Sequence, residues 1–397
     1  MFGILRAIKE LCSQRTVIYV IALFISLVLF NTTYMSLGTI VPMLTIILGL
    51  ILFVSTRPKT NVNNSNNLYI WMSLLFLFST VLSGGDELTQ CLKIILTALF
   101  SVLSTKLCIS VKEVRFLSLI ICVSYVIYAI LVIQSMSGET MYYGRAQIRI
   151  LGSEYPLDPN VVSAVFVFPF IICLYNLLYG KYKIMALLLV LLFFIAIVAL
   201  GSRGGFLALA VSSAFLLGDY IISKKSSMMK IMISLLLIVV TVLAINFLSG
   251  VEGIFGLTRI LDFETDDVSN GRTGVWIERM NLLSYSPLWG YGINYDMGTI
   301  HKGMASHNTI IQILHYGGLI GFILFLTPLY NMYKRKTVSF PIKLALFSSV
   351  MLPIFFIDTI QERTFWNFII FYSFLSAQTS ADDCLLWNKK TSEQYEL

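Results

Sequence analysis

Three arginines, a tryptophan and a histidine stand out in a chain that otherwise offers little chemistry. Arg272, Trp276 and Arg279 fall at i, i+4 and i+7 of a segment that reads as a helix from about Arg272 to Tyr285, ended by Ser286-Pro287. That spacing places both guanidiniums on one face. Guanidinium forks match phosphate oxygens bidentately, so the pair could hold a phosphate or diphosphate. The plainer reading is an amphipathic loop helix resting at lipid headgroups. Arg203 sits in the turn Gly201-Ser202-Arg203-Gly204-Gly205, where three glycines permit tight geometry and close approach of a ligand or another backbone. An arginine there could also snorkel to headgroups. His307 precedes Asn308 at the mouth of an apolar run, where an imidazole could act as a general base near neutral pH or simply open a helix.

Other groups are weighed beside these. Asp158-Pro159-Asn160 precedes an apolar run, and Asp at the N-cap with Pro at the first helical position is a strong helix start. Capping does not exclude substrate contact by Asp158 and Asn160. The same outer segment carries Arg145 and Arg149 beside Tyr142 and Tyr143. His315, two turns into an apolar run, reads as a satisfied core histidine, and His301 as a surface residue. The acidic run Asp262, Glu264, Asp266, Asp267 could bind a divalent cation but reads first as a solvated face. No phosphate loop, HExxH or Ser-His-Asp order is visible, so neither a metal nor a cofactor is expected.

These groups need a scaffold, and composition says what kind. Hydrophobic residues make up 57% of the 397 positions and charged residues 12%, with a mean hydropathy of +0.83. A soluble protein of this size could not bury so much apolar surface, so the expected fold is an all-α polytopic membrane protein forming one domain over 1–397. Apolar runs occur near 16–30, 37–54, 68–83, 91–108, 116–135, 160–179, 184–200, 204–222, 230–248, 309–331, 339–358 and 364–378. They predict about twelve transmembrane helices. The first run follows basic residues, lacks a small-residue cleavage site and is followed at once by another, so it reads as an uncleaved helix. Two outer segments exceed simple connectors: 136–159, and a large periplasmic loop of about sixty residues over 249–308 expected to contain short helices and the catalytic groups.

The net charge of +7 would suggest nucleic acid in a soluble protein, but its distribution gives another reason. With the N-terminus in the cytoplasm, inner loops and termini receive 19 of the 28 basic residues and 7 of the 21 acidic ones, a balance of +12 inside against −5 outside. That is the positive-inside pattern, with both termini cytoplasmic and no nucleic-acid partner implied. The six cysteines lie in or near apolar runs or inner stretches, so no disulfide framework is expected.

Taken together, Ser202-Arg203-Gly204, Arg272-x-x-x-Trp276, Pro287-Leu288-x-Gly290-x-Gly292, His307-Asn308 and Gly317-Gly318-x-x-Gly321 resemble the O-antigen ligase/polymerase superfamily. Arg279 and Gly290 also enclose ten residues, similar to the arginine-x10-glycine pattern of O-antigen polymerases. The resemblance covers mainly residues 200–325. It implies an enzyme of bacterial surface polysaccharide assembly in the inner membrane. The donor would be an oligosaccharide on undecaprenyl diphosphate, the acceptor a glycan hydroxyl, and membrane lipids the surroundings. By the same resemblance Arg203 and Arg272 would hold the diphosphate and His307 would activate the acceptor. Arg279, Trp276, Asn308, Gly290 and Gly292 would line the substrate site. Arg145, Arg149, Asp158 and Asn160 in a second outer loop look more like a polymerase, which has a chain-length regulator as a further partner. The alternative within the family is a ligase passing the glycan to lipid A-core. A flippase for lipid-linked sugars would show mid-membrane ionisable groups or repeat halves; the former are few and there is no sign of the latter.

Overall fold

A computed structural model describes residues 14–26, 44, 46–51, 64–135, 141–142, 145–146, 158–222, 272–294, 306–358, 360, 362–378 and 381–387. One two-residue antiparallel pair joins β1 (Met141–Tyr142) to β2 (Arg145–Ala146). The α-helices are α1 (Gln14–Ser26), α2 (Leu68–Leu82), α3 (Leu88–Ser104), α4 (Val111–Gln134), α5 (Pro159–Tyr179) and α6 (Lys183–Ala199). They continue as α7 (Arg203–Ile222), α8 (Arg272–Leu283), α9 (Thr309–Lys334), α10 (Phe340–Met351), α11 (Arg363–Ser376) and the single turn α12 (Ala381–Cys384).

Ten of the twelve expected spans coincide with helices. Five are long and apolar enough to cross a membrane: Ser65–Leu82, α4, α5, α7 and α9. Thr16–Ile25, Leu88–Ser104, Lys183–Ala199, Phe340–Phe355 and Thr364–Ser376 are apolar but shorter, and a span of the hydrocarbon core takes about 20 residues. The expected span 230–248 lies outside the described residues, and 37–54 is described only at 44 and 46–51. A count of twelve is therefore not reached among the described residues.

Helix starts follow their local sequence. Ser110 and Glu113 form a capping box at α4, with Ser110 N donating to Glu113 Oε2 at 2.7 Å. Asp158 caps α5 with Pro159 at its first position. Helix α5 is the centre of the bundle: every residue from Val162 to Leu178 is buried, and α4, α6, α7 and α10 pack around it. A second centre lies where α2, α9 and α11 meet, with Tyr69 edge-on to Phe365 and Trp366 at 6.0 and 5.6 Å.

The connectors sort to two ends, as the alternation of spans demands. At one end Tyr179 Oη donates to Asp219, Ser339 N donates to Asp382, and Arg335 Nη1 donates to Ser376. The candidate residues gather at the other.

Candidate active site

Four helices begin at this other end. Asp158 Oδ1 accepts the Asn160 N–H at 2.8 Å at the start of α5. Ser202 Oγ accepts the Gly205 N–H at 3.2 Å at the start of α7. Asn308 Oδ1 accepts from Ile310 and Ile311 N–H at 3.0 and 3.2 Å at the start of α9. Arg272 opens α8. These starts are in contact. A Cβ on Gly205 would collide with Ser163 Oγ in the first turn of α5, and one on Gly204 would come within 2.9 Å of the Phe356 ring. Arg272 Nη1 in turn donates to the Phe356 carbonyl oxygen at 3.0 Å. The turn carrying Arg203 and the side chain of Arg272 are thus drawn to one residue. Four helix N-termini and the arginines that open α7 and α8 meet here, a set that favours an anion, beside the carboxylates of Asp158 and Asp358.

His307 faces this region from the mouth of α9. Its φ of +48 is the one positive value at a non-glycine residue among the described residues, a left-handed backbone that needs support from its surroundings. The support is visible. Trp276 Nε1 donates to the Ser306 carbonyl at 2.7 Å, and Thr309 Oγ1 donates to the Ile357 carbonyl at 2.6 Å. The Asn308 N–H donates to Ser306 Oγ at 3.4 Å, and the Asp358 carboxylate lies against the backbone N–H groups of His307 and Asn308. Ser306 Oγ lies 3.2 Å from Asp358 Oδ1 and 3.1 Å from the Asn308 carbonyl, and its single proton serves one at a time. Desolvation pushes the Asp358 carboxyl above the usual range, opposed by His307 and by these hydrogen bonds. The imidazole remains accessible, its side chain 38% exposed, with Nδ1 3.9 Å from Asp158 Oδ2.

A second device fixes the floor of the site. Helix α9 is broken at Gly318 (φ 59, ψ −156), which frees backbone groups inside an apolar bundle. The segment after α8 takes them up. Tyr291 N and Gly292 N donate to the carbonyls of His315 and Tyr316 at 2.7 and 2.9 Å, and Leu319 N and Ile320 N donate to those of Pro287 and Leu288 at 2.8 and 3.2 Å. Such a break is tolerated at membrane depth only when its polar groups are satisfied in this way. Gly290 and Gly292 adopt φ of +65 and +67, and a Cβ at either would strike backbone, of His315 for the first and Thr80 for the second. The end of α2 clamps the same segment, Ser79 Oγ donating to the Trp289 carbonyl at 2.7 Å and Ser83 Oγ to the Tyr291 carbonyl at 2.6 Å.

The structure therefore brings together Arg203, Arg272, Trp276, Asp158, Asn160, His307 and Asn308. Helix capping at α9 falls to Asn308, which leaves the His307 ring without that duty. Arg279 is buried, 4% exposed, on a helix packed against α9, so a headgroup-facing guanidinium does not describe it. Gly290 and Gly292 have a backbone role in holding the α9 break. Arg145 lies in β2, while Arg149, His301 and the acidic run 262–267 lie outside the described residues. His315 is buried with Nε2 3.2 Å from the Asn294 carbonyl, but its Nδ1 has no hydrogen-bond partner, and neither does Gln312 Oε1 one turn earlier. Among the described residues no three His, Cys, Asp or Glu side chains cluster as a metal site.

Asp358 and Ser306 were not singled out from the sequence. The available signal was topological: Asp358 is the acid that ends the run 339–358, on the side of the membrane where His307 opens the preceding span. Residues 187–326 match the family model described as O-antigen ligase. No curated protein matches the chain. The matched stretch contains Arg203, Arg272, Trp276 and His307, whereas Asp158 and Asp358 come from either side of it.

Proposed function

We propose that the chain, whose residues 187–326 match the O-antigen ligase family model, is an O-antigen polymerase. In this reading it joins oligosaccharide repeat units carried on undecaprenyl diphosphate at the periplasmic face of the bacterial inner membrane. The observation that carries the reading is that the arginine-bearing starts of α7 and α8 meet at Phe356, beside an accessible imidazole at His307.

The chemistry is a displacement at the anomeric carbon of the donor. The acceptor hydroxyl oxygen forms the new glycosidic bond while the bond from the anomeric carbon to the diphosphate oxygen breaks, and its electron pair leaves on the diphosphate. Arg203 and Arg272 stabilise that growing negative charge, the part a divalent cation plays elsewhere. His307 takes the acceptor proton as the hydroxyl attacks. One displacement inverts the anomeric configuration. Arg279, Trp276, Asn308 and the Gly290–Gly292 segment would shape the cleft for the sugars and carrier, with Arg145 and Arg149 adding contacts from the 136–159 loop and Asn160 from the first turn of α5.

The twelve-span arrangement with both termini cytoplasmic rests on the charge split of +12 against −5. The second outer loop with its arginines is what favours polymerase over ligase. The test is the lipopolysaccharide of a strain lacking this chain. A polymerase deletion leaves lipid A-core bearing at most one repeat unit, because ligation continues. Unsubstituted core, with long chains stranded on the carrier, would assign the ligase reaction instead.

A further inference from the structure

We propose that Asp158 is the positioning carboxylate of His307, holding its ring so that Nδ1 carries the proton and Nε2 faces the acceptor hydroxyl. This rests on the reaction proposed above and assigns Asp158 a role other than contact with the sugar. Two carboxylates approach the His307 region, Asp158 from the start of α5 and Asp358 from the turn after α10, and their bonds divide the work. The Asp358 carboxylate accepts from Ser306 Oγ at 3.2 Å and lies against the backbone N–H groups of His307 and Asn308, so it meets this segment chiefly through Ser306 and the main chain, with the charge of the His307 ring nearby. Asp158 spends one oxygen, Oδ1, on the Asn160 N–H at 2.8 Å. Its other oxygen, Oδ2, lies 3.9 Å from His307 Nδ1. That separation is longer than a hydrogen bond, and such contacts commonly tighten when substrate closes the site.

The Asp158 side chain cannot drift, because its capping bond anchors it to the central helix, whose residues from Val162 to Leu178 are all buried. The His307 backbone is held as firmly in its left-handed conformation. A strained residue fixed opposite an anchored carboxylate is an arrangement that orients a ring. A carboxylate at Nδ1 sets the tautomer by accepting its proton and stabilises the imidazolium that forms when Nε2 takes the acceptor proton. The partner residue lies outside the 187–326 match, so this chain recruits its 136–159 loop to complete the base.

Asp158→Asn is a sharp probe. Asn caps helices as well as Asp does, so its amide oxygen keeps the Asn160 bond and its NH2 replaces Oδ2. A donor then faces Nδ1 where an acceptor stood, and the ring must move its proton to Nε2. The experiment uses full-length protein in nanodiscs with 15N-histidine. The chain has three histidines, and the His307 signals are assigned by their loss in His307→Gln. At alkaline pH the wild-type His307 signals are expected to report the Nδ1–H tautomer and those of Asp158→Asn the Nε2–H tautomer, with an unchanged melting temperature. In turnover with lipid-linked substrate, kcat is expected to fall about tenfold or more, a part of the 10²–10⁴ available to a general base, with KM within about twofold.

An unchanged tautomer in Asp158→Asn overturns the proposal, and so does a raised KM with kcat intact, which would make Asp158 a substrate contact. Should Asp158→Asn fail to fold, Asp158→Glu is read in the same way. It keeps the charge and moves it by one methylene, and retention of the Nδ1–H form with partial kcat supports the pairing, whereas an Nε2–H ring with full kcat refutes it. Full activity in His307→Ala alongside a tautomer switch in Asp158→Asn would refute the reaction assigned to the site and leave the pairing supported.

Discussion

The Phe356 carbonyl oxygen holds Arg272 through Nη1 at 3.0 Å, while the ring of the same residue fills the space beside Gly204, next to Arg203. Two arginines almost seventy positions apart in sequence are thereby referred to one point. The link exists because Gly204 has no side chain: a Cβ there would approach the Phe356 ring to 2.9 Å and its Cβ to 3.0 Å.

Charge alone is not expected to suffice at these positions. Arg203→Lys and Arg272→Lys keep the cation but lose the planar fork, and Arg272→Lys also loses the geometry that reaches Phe356. Each should lower glycan transfer by about tenfold or more, on the order of 1.4 kcal/mol in the barrier. The check is the length and intensity of the glycan ladder at matched membrane levels of protein. Wild-type ladders from both Lys variants would remove the guanidiniums from the mechanism. Gly204→Ala retains both arginines but should weaken transfer by displacing Phe356 and with it the carbonyl that holds Arg272.

The break in α9 makes a stability prediction that can be read without substrate. Gly290→Ala puts a Cβ into the backbone around His315, Gly317 and Gly318, at a residue whose φ is +65. Gly84 has a similar φ of +70 but open space around it. Gly84→Ala should cost only the conformational penalty of about 1–2 kcal/mol. Gly290→Ala should cost more and lower the yield of folded protein, because neither backbone can move away cheaply. Melting of detergent-solubilised variants, followed by size exclusion, ranks the two. Equal melting temperatures would show that the segment does not support the broken helix.

How far the sequence reveals this molecule varies from element to element, for physical reasons. Asp158-Pro159 and Ser110-x-x-Glu113 announce helix starts because capping is local chemistry. Helix α8 was expected over Arg272–Tyr285 and runs over Arg272–Leu283. The two-ended sorting of connectors follows from apolar runs and charge. The run expected over 339–358 is helical only over Phe340–Met351, since an apolar run does not show where its backbone leaves the helix, whereas α6 over Lys183–Ala199 keeps its expected length. The roles of Gly290 and Gly292 were not legible, because they depend on a break at Gly318 in another helix. Asp358 was missed for the same reason: its partners Ser306, His307 and Asn308 lie about fifty positions away, and only packing unites them.

Asp358 leads to a pH prediction whose sign follows from its environment. Desolvation raises its carboxyl above the ordinary value despite the opposing contacts, so the native state binds a proton more readily than the unfolded chain. A group raised in this way contributes stability that is fully present below the unfolded value and is lost as pH rises through the raised native one. Wild-type protein should therefore melt at falling temperature as pH climbs out of the carboxylate range, and Asp358→Asn should flatten that slope. A slope unchanged in Asp358→Asn would place its origin elsewhere.

Two further expectations concern what surrounds the site. If guanidiniums carry the leaving-group charge, transfer by purified protein should persist in EDTA. Loss in chelator with recovery in magnesium or manganese would instead promote the acidic run from Asp262 to Asp267 to a metal site. A cysteine placed at Asp267, in a background lacking the six native cysteines, should react with an impermeant thiol reagent once the outer membrane is opened. Labelling only after lysis would invert the topology.

The base assignment has the sharpest outcome. His307 lies in an accessible, strained and doubly supported position ahead of α9, whereas His315 is buried within that helix, its Nε2 directed to the Asn294 carbonyl. His307→Ala removes the proton acceptor and should reduce transfer by about 10²–10⁴, enough to collapse a glycan ladder and reproduce the deletion phenotype. His315→Ala removes a packed ring and should act through protein level, restored in part by expression at lower temperature. The measurement is the ladder normalised to membrane-embedded protein for both variants. A normal ladder from His307→Ala would end its role as base. A collapsed ladder from well-folded His315→Ala would move the chemistry about two turns deeper, to the side where Gln312 Oε1 and His315 Nδ1 lack partners.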